Sequence, residues 1–165
     1  MRLHRKTTTM RAGVALSTLL AAVLVPTIAG ATPNHAVSTI TIRTLMKAVA
    51  FTSVDADHNG KPSVGDYSVV RVVHVNPRTG KQIGTGTAIC TQVNTAGTLL
   101  DCQGSDVFPG GEIREAGRFT LAKKRQLSIL GGSGIYDGAS GSVNGTWLDP
   151  KYTKSSVTFQ ITKAK

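Results

Sequence analysis

The residues of this chain best suited to chemistry are an acidic run and two cysteines. Asp55-Ala56-Asp57-His58-Asn59-Gly60-Lys61-Pro62-Ser63-Val64-Gly65-Asp66 has the spacing of a calcium loop, with Asp55, Asp57, Asn59, Ser63 and Asp66 at loop positions 1, 3, 5, 9 and 12 and Gly60 at position 6. Calcium takes six or more oxygens, and this spacing can wrap them around one ion. Three features weigh the other way: Asp66 is shorter than the usual glutamate, Pro62 stands where a hydrophobic residue is usual, and both flanks read as strands rather than helices. The alternative is a polar turn that leads into a strand at Val64-Gly65-Asp66. Cys90 and Cys102 lie six residues to either side of Ala96, the centre of a hairpin turn. Equal offsets place them opposite each other on paired strands, where Cβ atoms are close enough to bridge. A disulfide is the main expectation; the other is two free thiols, one of them reactive.

Other patterns carry less chemistry. Gly132-Ser133-Gly134 opens no helix and is followed by no suitably placed acid, so it is not a dinucleotide fingerprint; its glycines suit turns that need positive φ. Asp101 and Asp106 lie near a hairpin and a loop and are not read as an acid/base pair. No Ser/His/Asp pattern and no zinc-ligand cluster is visible.

The elements that would position these residues are strands. Segments 38–54, 67–75, 82–93, 98–103, 112–120, 125–130, 141–148 and 155–162 show alternation or β-branched runs, separated by turn residues such as Asn76-Pro77-Arg78-Thr79-Gly80 and Asn94-Thr95-Ala96-Gly97. Many short strands at this spacing indicate an antiparallel sandwich or barrel. Gly84 and Gly86 within one strand fit the strong bending that barrel closure requires. No repeat, linker or second domain is evident.

Charge and the N-terminus must be read together. The 165 residues carry 19 Lys+Arg against 9 Asp+Glu, a formal charge of +10, which first suggests nucleic acid as a partner. However, residues 1–11 hold Arg2, Arg5, Lys6 and Arg11 with no acid, residues 12–31 are apolar or small, and the stretch ends in Ala29-Gly30-Ala31. That is the layout of a helical secretory signal peptide, residues 1–31. Pro26, Thr27, Gly30 and the lack of a basic flank argue against a membrane anchor. Cleavage would leave a single domain, 32–165, with 15 basic and 9 acidic residues, a charge of +6. The expectation is an extracellular protein with no membrane span after signal removal and no nucleic-acid partner. Lys123-Lys124-Arg125, the one basic cluster, reads as a solvated turn or strand edge. A cationic protein that adheres to acidic envelope polymers is a further reading.

The most distinctive stretch is Gly131-Gly132-Ser133-Gly134-Ile135-Tyr136-Asp137-Gly138-Ala139-Ser140-Gly141. It resembles the GGxGxYxGAxG signature of the allene oxide cyclase and dirigent barrels. Val64-Gly65-Asp66 followed by Gly80 to Gly84 and Cys90, and Gly110-Gly111-Glu112-Ile113 followed by Gly117, agree with that family in the same order. The resemblance covers about residues 40–162 and is strongest to small secreted bacterial members, which often carry the same hairpin cysteine pair. It implies a calycin-like, eight-stranded antiparallel β-barrel with a largely apolar lumen. In that family the lumen encloses a reactive hydrophobic molecule and orients it for cyclisation, isomerisation or coupling, an entropic form of catalysis. It also implies oligomers as a common state.

The family's cyclase chemistry does not carry over. Cys90 matches the cyclase's lumenal cysteine, but a bridge to Cys102 would remove its thiol. Val72 stands at the family's asparagine position, Phe119 at its tyrosine position, and residues 36–54 offer no counterpart to its first-strand glutamate. True allene oxide cyclase activity is therefore not expected. If Cys90 and Val72 face inward, alternation brings Ser68, Val70, His74, Ala88 and Gln92 with them, then Leu100, Cys102 and Phe119. The expected ligand-binding lumen is Val70, Val72, His74, Ala88, Gln92, Leu100 and Phe119. His74 is the candidate acid/base group if it lies inside; the alternative places it at the rim, solvated beside the Asn76 turn. Tyr67, Tyr136 and Trp147 read as packing residues or pocket walls. No cofactor is expected, with calcium at the Asp55–Asp66 loop held open. The leading expectation is a barrel that binds a hydrophobic small molecule, with or without catalysis; the rival is a non-catalytic exported or envelope-associated module.

Overall fold

The computed structural model describes residues 37–122 and 124–164. The signal-peptide expectation for residues 1–31, and the domain start at 32, lie outside the described residues. The strands are β1 (Val37–Val54), β2 (Tyr67–Val75), β3 (Gln82–Gln92), β4 (Leu99–Phe108), β5 (Gly111–Thr120), β6 (Lys124–Gly132), β7 (Ser140–Trp147) and β8 (Lys154–Ala164). Each pairs antiparallel with its sequence neighbours, and β8 returns to β1, so the sheet closes into a barrel. Closure leaves no free sheet edge. Among the described residues no helix is long and apolar enough to cross a membrane.

β1 closes the barrel because it is long. Its first part, Val37–Lys47, pairs with β8, and Leu45–Val54 pairs with β2. Register shifts leave Val49 on β1, Ile83 on β3 and Leu130 on β6 as extra residues. Such bulges increase local twist and let strands bend around a small barrel.

The two barrel ends differ. At one, the β4–β5 turn and the end of β6 meet a single-turn 3-10 helix, Gly134–Tyr136. Here Phe108, Ile113, Leu127, Ile129, Tyr136, Val143, Val157, Phe159 and Ile161 form the core. The glycine-rich stretch builds this closure. The Ser133 amide donates to the Glu112 carbonyl and the Ile135 amide to the Gly110 carbonyl, so the loop lies directly on the β4–β5 turn. Gly134 sits at φ +62°, and a Cβ there would run into the Gly110 carbonyl oxygen. Only glycine satisfies both conditions. At the other end lie the Asp55–Asp66 loop, the β3–β4 hairpin, the β5–β6 connection and the β7–β8 turn; the lumen-facing residues there, Ser68, Val70, Ala88, Gln92, Leu100, Phe119 and Trp147, are only half-buried.

Cys90 and Cys102 pair directly across β3 and β4 and are joined by a disulfide. The segment 104–108, absent from the strands expected from sequence, is the second half of β4.

Candidate functional site

Strand alternation turns a polar row into the lumen. His74 is 1% exposed and Asp106 5% exposed. His74 Nε2 lies 2.6 Å from Asp106 Oδ1, and His74 Nδ1 lies 3.0 Å from Thr44 Oγ1. A carboxylate only accepts, so Nε2 carries the hydrogen and, in the neutral ring, the Thr44 hydroxyl donates to Nδ1. The imidazole also packs against Phe108 and Phe159, with ring centroids 4.9 and 5.7 Å away. His74 is thus inside the barrel and not at the rim. Both of its nitrogens are engaged, so it fixes Asp106 in place and offers no free ring nitrogen to a ligand.

Further along the lumen are Glu115 on β5 and Arg125 on β6. Burial first, and the nearby Asp106 charge second, push the Glu115 carboxyl up to about 8, with Arg125 pulling the other way. Burial brings the Arg125 guanidinium down to about 10 against the opposing pull of Glu115 and Asp106. Glu115 is therefore protonated at neutral pH and Arg125 charged. The Arg125 guanidinium donates through Nη2 to Ser155 Oγ at 3.0 Å, approaches Met46 Sδ at 3.6 Å and lies 3.9 Å over the Trp147 ring. Stacking on an aromatic face holds a weakly hydrated guanidinium without a carboxylate partner.

Room for these side chains comes from glycines. Across the ladders His74 faces Gly84, Asp106 faces Gly86, Glu115 faces Gly104 and Arg125 faces Gly145. A Cβ at Gly145 would lie 2.8 Å from the Arg125 guanidinium carbon, one at Gly104 would lie 3.3 Å from Glu115 Oε1, and one at Gly86 would overlap Asp106 Oδ1. Because His74 pins that oxygen, Gly86→Ala is expected to destabilise the fold by about 2 kcal/mol, as overpacking of a fixed core does. Gly104→Ala, whose tightest contacts would be Glu115 Oε1 and the Thr87 carbonyl oxygen, both at 3.3 Å, needs a shift of only a few tenths of an ångström and is expected to cost less than half as much. Urea unfolding of the two variants checks the ranking.

The sequence-predicted lumen residues fall as follows. Val70, Val72, Ala88, Gln92, Leu100 and Phe119 occupy inward positions of β2 to β5, in the paired rows Val70–Ala88 and Gln92–Leu100–Phe119. Val72 is buried and the other five half-buried. Five residues of the polar row are not among the lumen residues expected from sequence: Thr44, Asp106, Glu115, Arg125 and Ser155. Asp106 was passed over as a loop residue and is a buried strand residue paired to His74; Arg125 was read as part of a solvated triplet and turns inward. Trp147 is a wall, as expected, but a wall for a cation.

In the Asp55–Asp66 loop, carboxylate oxygens of Asp55, Asp57 and Asp66 lie within 4.8 Å of one another. Of the other two predicted oxygens, that of Asn59 serves the loop itself. The Asn59 side-chain amide donates to Asp57 Oδ2 at 2.7 Å, while its oxygen accepts from the Lys61 amide at 2.7 Å. The Ser63 hydroxyl oxygen is enclosed and has no partner. Asp66 accepts from the Ala56 and Ser63 amides, and these two bonds hold its carboxyl below the usual range. The arrangement accounts for a stable polar turn as well as for a metal loop. It is tied to the lumen mouth through Gln92, whose amide donates to the Asp66 carbonyl and whose carbonyl accepts from Gly65.

Two recesses of about 230 and 400 Å³ lie along the outer wall of β2 to β5, where Val107, Thr87, Ile89 and Gln103 stand. They do not involve the polar row.

No family model matches this chain, and no curated protein does. Solved structures match throughout the barrel. Pyocyanin demethylase superposes with a TM-score of 0.63 at 19% identity, covering 73% of this chain and 99% of its own. The pterocarpan synthase dirigent protein GePTS1 gives a TM-score of 0.63 at 16% identity, over 78% and 88% of the two chains. This chain has the dirigent-type barrel fold. The Diels Alderase AbmU from Streptomyces koyangensis shares it, with a TM-score of 0.60 at 18% identity over 82% and 72%. The resemblance seen in the glycine-rich stretch is thus matched by the three-dimensional fold, including the eight strands it implied.

Proposed function

We propose that this dirigent-type barrel is an exported protein that takes a small, largely apolar molecule into the half-buried end of its lumen and assists its cyclisation or coupling. One observation carries the reading: the lumen holds a row of enclosed polar side chains, and three of them, Asp106, Glu115 and Arg125, occupy space left by a glycine on the adjacent strand. Buried polar groups without a partner are costly, so their retention in the lumen points to a task. That similar barrels include a dirigent protein and a Diels Alderase supports a role in holding a substrate in a reactive conformation. The chain's own residues suit it. Val70, Ala88, Leu100 and Phe119 would exclude water and restrict the substrate, a neutral Glu115 would donate a hydrogen bond, and Arg125 would stabilise developing negative charge. His74 would act through Asp106, as a positioning residue.

The packed core at the 3-10 helix end favours a second reading, binding without reaction, because it confines any ligand to the other half. The experiment for both begins with protein secreted from the full-length gene, whose intact mass is expected to start at Thr32. Organic extracts are analysed by mass spectrometry for wild type, for Ala88→Phe, which fills the lumen, and for Ile89→Phe, which alters the outer wall. A small molecule recovered from wild type and Ile89→Phe but lost from Ala88→Phe is the expected result; equal recovery from all three would remove the lumen as the binding place. Incubation of that molecule with fresh protein then separates turnover from storage.

A further inference from the structure

We propose that the lumen between Glu115 and Arg125 recognises an acidic oxygen, so that the molecule taken up carries a carboxylate, enolate or phenolate at one end of an apolar body. The inference rests on the lumenal reading above and narrows it to a substrate class.

The two side chains stand on the neighbouring strands β5 and β6 and influence each other electrostatically, yet among the described residues no ion pair within 4.0 Å joins them. Instead, each ends in an atom with nothing to bond. Arg125 Nη1 and Glu115 Oε2 are both enclosed and lack a hydrogen-bond partner, and so does Trp147 Nε1 on the ring beneath the guanidinium. A buried donor left unmade costs free energy, so such atoms call for an explanation. Three donors without acceptors are the complement of an anion or strongly polarised oxygen. Arg125 Nη1 and Trp147 Nε1 can only donate. Glu115 donates as well, since its carboxyl, raised to about 8, keeps its proton at neutral pH.

The charge balance points the same way. Of the lumenal ionisable groups, Asp106 is bonded to His74 and Glu115 is neutral, which leaves the Arg125 positive charge without a compensating carboxylate in contact. Its other arm is fixed by Ser155 and its face by Trp147, so the free Nη1 edge is held in one orientation. A fixed guanidinium edge suits carboxylate-like oxygens better than a mobile ammonium would.

The test uses octanoate and octanamide, which match in length and differ in charge. Trp147 is the only tryptophan of the chain, so its fluorescence reports from the site. Octanoate is expected to perturb Trp147 with a dissociation constant at least tenfold below that of octanamide. Arg125→Gln and Arg125→Met, the second keeping the apolar stem, are expected to bring octanoate to the level of octanamide, with circular dichroism confirming the barrel. Glu115→Gln, an uncharged mimic of the protonated acid, is expected to keep the preference. Equal binding of the two compounds to wild type would overturn the acidic-oxygen inference and leave lumenal binding standing. A preference that survives in both Arg125 variants would overturn it too. Binding of neither compound would count against both readings.

Discussion

Raising the pH from 5 to 8 is expected to cost the folded barrel about 1.4 kcal/mol per pH unit through Glu115 alone. The carboxyl titrates near 4.5 in the unfolded chain and at about 8 in the folded one. Below 4.5 both states hold the proton, and the group does not disfavour folding by ionisation. Between 4.5 and 8 the unfolded chain releases its proton while the folded chain keeps it, so every unit of pH favours unfolding. Above 8 both states are ionised and the slope ends. Glu115→Gln retains the shape and hydrogen-bonding capacity of the neutral acid and has no proton to lose. It is expected to abolish the slope and to exceed wild-type stability at pH 8 by an amount on the order of several kcal/mol. Urea unfolding of both proteins at half-unit intervals checks this; parallel curves would assign the slope to another group. Asp55, Asp66, Glu112 and Asp149 act in the opposite sense, because hydrogen bonds hold their folded carboxyls below the ordinary range. Their contribution is present above the unfolded value and is lost as the pH falls through the lowered one. The two effects together are expected to place the stability maximum of wild type on the acid side of neutrality.

A protein that keeps a protonated carboxyl beside a guanidinium without letting them pair gives up stability at neutral pH. Replacing such groups by apolar residues commonly stabilises a fold. That cost supports a task for Glu115 and Arg125 of the kind proposed: the core at the opposite end of the barrel, which includes Phe108, Tyr136, Phe159 and Ile161, is built without them.

The strands are legible from sequence because β-branched runs and turn residues alternate cleanly: seven of the eight lie within two residues of their expected ranges, while β4 runs five residues past its expected end. The cysteine pair was legible for a geometric reason: six residues to either side of Ala96 is a register statement, and β3 and β4 pair in that register. The same register pairs Gly86 with Asp106, ten residues to either side of Ala96, so Asp106 could have been found opposite a lumenal glycine. It was missed because Gly104-Ser105-Asp106 has little β-propensity and reads as a loop. Barrel closure overrides that preference by bonding both edges of β4. Arg125 was hidden differently. In Lys124-Arg125-Gln126-Leu127-Ser128-Ile129 the inward set is Arg125, Leu127 and Ile129, and a charge at the head of an apolar alternation looks like the strand's solvated end. Only its pairing with Gly145, on the far side of the β6–β7 connection, shows where the guanidinium goes.

Removing Asp106 is the second large effect. Asp106→Ala leaves the buried His74 Nε2–H without an acceptor in a pocket walled by Phe108 and Phe159, and is expected to cost about 3 kcal/mol. Asp106→Asn keeps an amide oxygen for His74 and is expected to cost about 1 kcal/mol, since a neutral acceptor replaces a charged one. The informative outcome concerns Glu115. Burial is the first cause of its raised pKa and the Asp106 charge the second. In Asp106→Asn the stability loss with pH should therefore end below pH 8 but still extend above 4.5, whereas Glu115→Gln should remove it entirely. The double variant should match Glu115→Gln in slope. An unchanged upper limit in Asp106→Asn would show that the Asp106 charge does not reach Glu115, and the polar row would then be two independent pairs rather than one coupled set.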